Sequence, residues 1–302
     1  MHPPAVLRPG RGFRPGPALL YFAQRLVVWP PARRLVRRGL AGWISRAYPE
    51  LFPKHAEPPA QGGAREAALR RDGIVAMESL VPEAGAKAMA AYFAGQEVVV
   101  AGRTMPLGAV PAGTAVAPYP LATVLACPGL VALINHPAVL RLAAAYLGCA
   151  PTLSSLGVRW ALPAPGGGTD IQRFHRDPDD WHSVKLFVYL TEVDAGAGPH
   201  VYIRGSHRTA GGLRARPFGS GEAEARFGAA NVLAVTGPAG TSFMADVHGV
   251  HRGAVPTGRP RLMLQAQYSL LPVYAFRYEP LPTPPPLPVD PYVNRLLFRP
   301  SP

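Results

Sequence analysis

From Pro151 onward the chain breaks into short runs of apolar, β-branched and aromatic residues, at 153–162, 171–175, 184–192, 200–204, 231–235, 240–245 and 262–271, with Gly- and Pro-containing turns between them. Runs this short have the length and composition of strands and leave no room for a helix to bury a face. Seven or eight strands within about 120 residues fold as two facing sheets, a sandwich or a jelly roll. Ahead of them the pattern is helical: a helix at 64–71 stopped by Asp72-Gly73, a short strand "IVAME", a helix from about 82 to 94, and a region "LATVLACPGLVALINHPAVLRLAAAYLG" that ends at Gly148. The fold class is mainly β with flanking helices.

At 302 residues and 48% apolar content the chain has ample material for a packed core. Its net charge of +13 is unevenly spread. Residues 1–62 hold ten Lys/Arg against Glu50 and Glu57, so most of the excess lies in this N-terminal extension and the body is only mildly basic. Residues 1–17 are rich in Pro, Gly and Arg, and 18–48 reads as two short helices broken at Pro30-Pro31, with Arg33, Arg34, Arg37 and Arg38 among the apolar positions. Such a segment is either a helical extension with a solvated face or a peripheral contact for an anionic membrane. Nucleic acid is not expected, because basic and aromatic residues are not interleaved across the strands. The apolar run "ALLYFAQRLVVW" is cut by Arg25 and is too short to span a bilayer, no cleavage site follows it, and Cys127 and Cys149 read as reduced core residues, which together point to the cytoplasm. The "YEPLPTPPPLPVDPY" stretch belongs to a proline-rich arm, 273–302, draped as extended chain over the body at 63–272.

The stretch "FHRDPDDWH" packs six charged or imidazole groups ahead of the apolar run "SVKLFVYLTEV". Side chains at i and i+2 of a strand share a face, so His175 and Asp177 point together, Arg176 points away, and Pro178 ends the strand. An imidazole and a carboxylate converging in this way supply two of the three ligands of a facial triad, which leaves iron(II) with open positions. The third is His251, in "DVHGVHRGAV"; His248, three residues away on the opposite face, is the alternative. Ten residues after His251, Arg261 enters an otherwise apolar strand, where a guanidinium is costly unless an anion meets it. Its planar fork matches the far carboxylate of a diacid. Lys185 raises the same issue among Val184, Leu186 and Val188. Arg159 either faces that diacid or an acidic substrate, or makes a surface or ion-pair contact. Asp179 and Asp180 read as solvated turn residues bonding to backbone. His182 and Trp181 either line a substrate mouth or pack; His200 also needs weighing as a ligand; His207 belongs to a turn; Phe187 and Tyr189 face the barrel interior.

Four segments, "LRRDGIVAMESLVPEAGAKAM", "HPAVLRLAAAYLGCAPTL", "FHRDPDDWHSVKLFVYLTEVDAGAGPHVYIRGSHR" and "DVHGVHRGAVPTGRPRLML", resemble the phytanoyl-CoA dioxygenase family of iron(II)/2-oxoglutarate oxygenases, in the family's order and over about residues 64–272. The resemblance implies a double-stranded β-helix, a cupin-like jelly roll with flanking helices. It implies His175, Asp177 and His251 as metal ligands, Arg261 as the partner of the distal carboxylate of 2-oxoglutarate, and Lys185 as a further contact to that co-substrate, with Arg159 a candidate contact from its strand position. Iron(II), 2-oxoglutarate and O2 are the implied cofactor and co-substrates, with succinate and CO2 released and a small molecule, anionic if the charge balance guides the choice, hydroxylated at an unactivated C–H bond. Where relatives often have Ser or Thr two residues after the distal histidine, this chain has Gly253, which puts more weight on Arg261. The retained Asp177 argues against halogenation. The competing reading is a metal-binding jelly roll with a regulatory or binding role and no turnover.

Overall fold

The computed structural model describes residues 14–27, 29–49, 59–78, 80–164, 172–177, 179–209 and 220–299. Two helices come first, α1 (Pro15–Leu26) and α2 (Pro30–Ala47), then α3 (Pro59–Asp72), β1 (Ile74–Ala76) and α4 (Glu83–Ala94). A hairpin of β2 (Glu97–Val100) and β3 (Arg103–Pro106) follows, with β4 (Val116–Pro118), α5 (Leu121–Ala126), α6 (Leu130–Ile134) and α7 (Pro137–Leu147). The β region holds β5 (Thr152–Ala161), β6 (Ser183–Tyr189), β7 (His200–Ile203), then α8 (Ser220–Phe227), β8 (Val232–Val235), β9 (Ser242–Ala245), β10 (His251–Gly253) and β11 (Arg261–Ser269); α9 (Pro291–Asn294) comes last.

The strands form two antiparallel sheets that make the jelly roll, a six-stranded one in the order β1-β9-β6-β11-β5-β4 and a three-stranded one in the order β10-β7-β8. Alternation sorts the large sheet's side chains onto two faces. Val184, Leu186 and Val188 of β6, with Leu262, Leu264 and Ala266 of β11, join the core shared with the helices. Phe187, Tyr189, Phe243, Ala245 and Met263 have the opposite parity and pack toward the small sheet with Tyr202. Lys185, Arg261 and Arg159 share that inward parity in their strands, so the polar groups of the large sheet enter the barrel by the same period that builds its apolar layer.

Helices α1 and α2 and the segment leading to residue 299 dock on this body. Pro30 is the first residue of α2, where its missing N–H costs nothing, so the proline pair starts a helix as well as separating two. Ala41 and Ile44 of α2 are buried in the main core. Gln24 of α1 is buried, and its amide donates to Asp180 Oδ1 at 3.1 Å and to the Pro272 carbonyl at 3.2 Å. In the proline-rich arm, Tyr278 donates to the Ser154 carbonyl at 2.8 Å, and Asp290 caps α9 by accepting from the Tyr292 and Val293 amides. Val293, Leu297 and Phe298 are core residues. Cys127 and Cys149 are free and buried, and burial pushes their thiols up to about 11 and about 12.

Candidate metal centre

His251 opens β10 at the edge of the small sheet, and His175 lies directly opposite it, each backbone amide donating to the other's carbonyl at 2.9 Å. The run at 171–175 therefore ends in a single bridge, with residue 171 outside the described residues. One step on, the Asp177 amide donates to the Val247 carbonyl at 2.9 Å, which turns its carboxylate back toward both rings. The ring centroids are 4.5 Å apart; Asp177 Oδ1 is 3.4 Å from His175 Nε2, and Oδ2 is 3.8 Å from His251 Nε2. Each histidine places Nδ1 on a backbone carbonyl two residues earlier, Arg173 at 2.8 Å and Gly249 at 2.9 Å. That bond makes Nδ1 the donor in both rings and aims both Nε2 lone pairs at the carboxylate, the orientation a metal ligand needs. The three donor atoms lie within 4.8 Å of one another. Two imidazoles and one carboxylate are the donor set suited to a divalent metal with open positions, so the residues fit the ion that the sequence implies.

The charge states fit as well. Burial pushes the Asp177 carboxyl up, but Lys185 Nζ at 2.8 Å and the two histidines outweigh it and hold the group well below the usual carboxylate range. Burial drives His251 down to about 3, which keeps its ring neutral. For His175 burial also opposes protonation, yet the hydrogen bond and charge of Asp177 win and raise it above the ordinary value. A cation is thus welcome between these groups.

A cavity of about 340 Å³ contains the three donors together with Arg159, Lys185 and Arg261. Arg261 is 4% exposed, donates Nη1 to the Gly198 carbonyl, and leaves Nε with no partner. Its guanidinium lies against Gly253: a Cβ at that glycine would sit 2.8 Å from Nη2. Gly253 follows His251 by two residues on the same face of β10, so the guanidinium stands roughly 7 Å along the strand from the distal histidine. Arg159 shares the cavity; burial and then the charge of Arg261 push it down to about 10. Three guanidiniums, of Arg25, Arg159 and Arg261, and the Lys185 ammonium face Asp177 and Asp179 and leave positive charge for an anion to neutralise.

Several sequence expectations need correction. Asp180 is not solvated: it is 3% exposed, and its carboxylate accepts from the amides of Trp181 at 2.7 Å, Leu270 at 2.9 Å and Leu271 at 3.3 Å. Asp179 lines the metal cavity, where burial and then Asp177 push it up to about 6. Trp181 and His182 are buried against a different cavity and do not line the mouth of the metal cavity, and His248 bonds Arg33, so neither His182 nor His248 joins the donor set. Arg176 does point away, to the carbonyls of Ser206 at 2.9 Å and His248 at 2.6 Å; Pro178 lies outside the described residues. His207 bonds the Arg70 carbonyl at 3.0 Å, as a turn residue would. His200, a ligand candidate in the sequence, is buried in the cavity outside the set of three donors, with its ring stacked 5.4 Å from His251 and Nε2 unpaired. Sequence reasoning missed Tyr21 and Arg25 of α1 and Phe276 of the C-terminal arm, which line the same cavity.

No protein-family model matches the chain, and no curated protein matches it. Solved structures share its fold. The non-heme alpha ketoglutarate dependent epimerase SnoN from nogalamycin biosynthesis, in a complex with Fe3+, alpha ketoglutarate and nogalamycin RO, is 24% identical with a TM-score of 0.52, over 70% of this chain and 84% of that one. EctD from S. alaskensis, with 2-oxoglutarate and 5-hydroxyectoine, is 20% identical with a TM-score of 0.51, over 71% and 79%. The chain has the double-stranded β-helix fold of these enzymes.

Proposed function

We propose that the protein is an iron(II)- and 2-oxoglutarate-dependent dioxygenase of the phytanoyl-CoA dioxygenase type, acting on a small molecule with hydroxylation of an unactivated C–H bond as the outcome. The observation that carries this reading is the pairing of the His175, Asp177 and His251 donors with a buried guanidinium whose Nε is orphaned, one strand repeat away across Gly253. That spacing suits a short diacid held at the metal by one end and at Arg261 by the other. Iron(II), when bound, would supply the activation of dioxygen coupled to oxidative decarboxylation of the keto acid, chemistry that no side chain here can perform. The protein's part is binding and exclusion. His175 and His251 are held as Nε2 donors by their backbone partners, and Lys185 occupies Asp177 Oδ2, leaving Oδ1 for the metal. Phe187 and Met263 keep one wall dry, and Tyr21, Arg25 and Phe276 bring α1 and the C-terminal arm to the cavity, where they would meet the substrate. SnoN supports the cofactor assignment by its bound ligands, and as an epimerase it shows that this fold serves more than one outcome.

The test is anaerobic loading with iron(II), followed by succinate and oxygen measurements against a panel of small molecules, with product mass read for the gain of one oxygen atom. Asp177→Ala abolishes succinate formation by loss of metal, and Arg261→Ala raises the 2-oxoglutarate requirement. Unchanged succinate formation in either variant refutes the assignment.

We also propose that the basic segment makes peripheral contact with anionic membrane. Among the described residues, the large apolar side chains left exposed are Leu19, Phe22, Leu26, Trp29, Leu35, Trp43 and Tyr48, all in or beside α1 and α2, with Arg34, Arg38 and Arg46 exposed among them. Apolar side chains interleaved with arginine suit an interface that is greasy below and negatively charged above.

A further inference from the structure

A second cavity, about 420 Å³, shares no lining residue with the metal cavity. Three segments separate in sequence bring arginines to its wall, α2 with Arg33, Arg34 and Arg37, α3 with Arg70 and the 206–208 turn with Arg208, and the acid facing them among the described residues is Asp246. That carboxylate is already engaged, by the Tyr146 hydroxyl at 2.6 Å and the His248 amide at 2.9 Å. Arg33 is spent on the Asp180 and Trp181 carbonyls, and Arg70 on Glu66 and the Ala145 carbonyl. Arg34, Arg37 and Arg208 make no hydrogen bond to protein among the described residues. On the same wall His182 is 5% exposed, with its ring 4.6 Å from that of Tyr146 and neither ring nitrogen paired.

A buried imidazole with no partner is destabilising, and folded proteins rarely leave such atoms unmet. The missing partner must accept a hydrogen bond and bring negative charge into a space that is strongly positive. A carboxylate offers two oxygens. A phosphate offers three or more with up to two charges, which matches several guanidiniums converging from different directions. The cavity is also larger than a lone phosphate fills. We infer that this cavity binds the phosphate group of an organic phosphate, separately from the metal centre. The group comes either from a soluble ester or from a lipid headgroup, since α2, which supplies three of the arginines, also exposes Leu35 and Trp43.

Calorimetry on the full chain with pyrophosphate as the probe tests this, using Arg37→Gln and, because Arg34 is exposed and its loss cannot empty a core, Arg34→Gln. Pyrophosphate binding by the wild type, weakened about tenfold or more in each variant, is the expected result, and iron(II) titration of the same variants stays at the wild-type value. Sedimentation with phosphatidylcholine vesicles, with and without phosphatidic acid, separates the sources. Binding that requires phosphatidic acid, is displaced by pyrophosphate and is lost in Arg37→Gln assigns the lipid; pyrophosphate binding without vesicle binding assigns the soluble ester. No pyrophosphate binding, or binding unchanged in both variants, overturns the inference and leaves the metal-centre reading untouched, because the two sites have no residue in common.

Discussion

Gly253→Ala is the sharpest perturbation the site offers. The added Cβ would lie 2.8 Å from Arg261 Nη2, about 0.6 Å inside ordinary van der Waals contact. Nη2 is the free end of a flexible side chain, so the clash is relieved by swinging the guanidinium, not by moving backbone. The backbone of Gly253 is not in the left-handed region, so alanine is otherwise tolerated and contributes up to about 1 kcal/mol by restricting the unfolded chain. Stability should therefore barely change. Binding should change a great deal: a guanidinium turned off the Gly198 carbonyl no longer presents two parallel N–H groups to a carboxylate, and one charge-assisted hydrogen bond is worth about 1.5–3 kcal/mol. That corresponds to 2-oxoglutarate binding weaker by roughly 10- to 150-fold. The assay is anaerobic titration of 2-oxoglutarate into the iron(II)-loaded protein, beside a thermal melt. An unchanged dissociation constant with an unchanged melting temperature would show that Arg261 is not the partner of the diacid.

Gly249→Ala should act through the fold of the same loop: a Cβ there would overlap the Tyr202 hydroxyl, and overpacking of this kind costs about 1–3 kcal/mol, so the variant should melt lower and lose iron(II) affinity as the carbonyl that orients His251 moves. A dissociation constant for iron(II) equal to that of the wild type would contradict this. His248 is held down to about 3 by burial and then Arg33, so the folded protein binds fewer protons than the unfolded chain, and stability is lost as pH falls below the ordinary histidine value near 6.5. At about pH 5 this one group should cost about 2 kcal/mol, and urea unfolding of His248→Gln should show that much less acid sensitivity than the wild type. Vesicles containing phosphatidylserine should sediment the protein at low salt, and the double substitution Trp29→Ala with Trp43→Ala should weaken that association about tenfold without lowering the melting temperature, since both side chains are exposed.

What was legible in the sequence is what obeys a short period. The strands at 152–161, 183–189 and 261–269 fall within three residues of the apolar runs, because alternation marks both their extent and their faces. The same parity puts His175 beside Asp177, and Lys185 and Arg261 inward. The β2–β3 hairpin was not legible: its turn uses Ala101 at a φ of 50°, a conformation alanine rarely adopts, so the Ala101-Gly102 pair gives no turn signal. The walls of both cavities were hidden for another reason. Tyr21, Phe276 and the cluster of Arg34, Arg37, Arg70 and Arg208 meet only in three dimensions, and an arginine on an amphipathic helix looks the same whether it faces water or a cavity. Asp180 misled for a similar reason, since a Pro-Asp-Asp run has the composition of a solvated turn.

The density of charge at 175–182 follows from the number of jobs the segment performs. His175 and Asp177 face the metal cavity, and Arg176, one residue out of phase, ties the 206–209 turn and the 246–251 loop to the same stretch through Ser206, Thr209 and His248. That tie braces the loop leading to His251 beside the paired backbone bonds that hold His251 opposite His175, so a residue pointing away from the site supports its frame. Asp180 joins the end of β11 to α1 through Leu270, Leu271 and Gln24; burial pushes its carboxyl up to about 6 despite those donors. Trp181 and His182 then reach the basic cavity. The polar groups described in the stretch thus divide among a few buried destinations, the metal cavity for His175, Asp177 and Asp179, two loops for Arg176, α1 and the end of β11 for Asp180 and the basic cavity for His182, and that division accounts for their density.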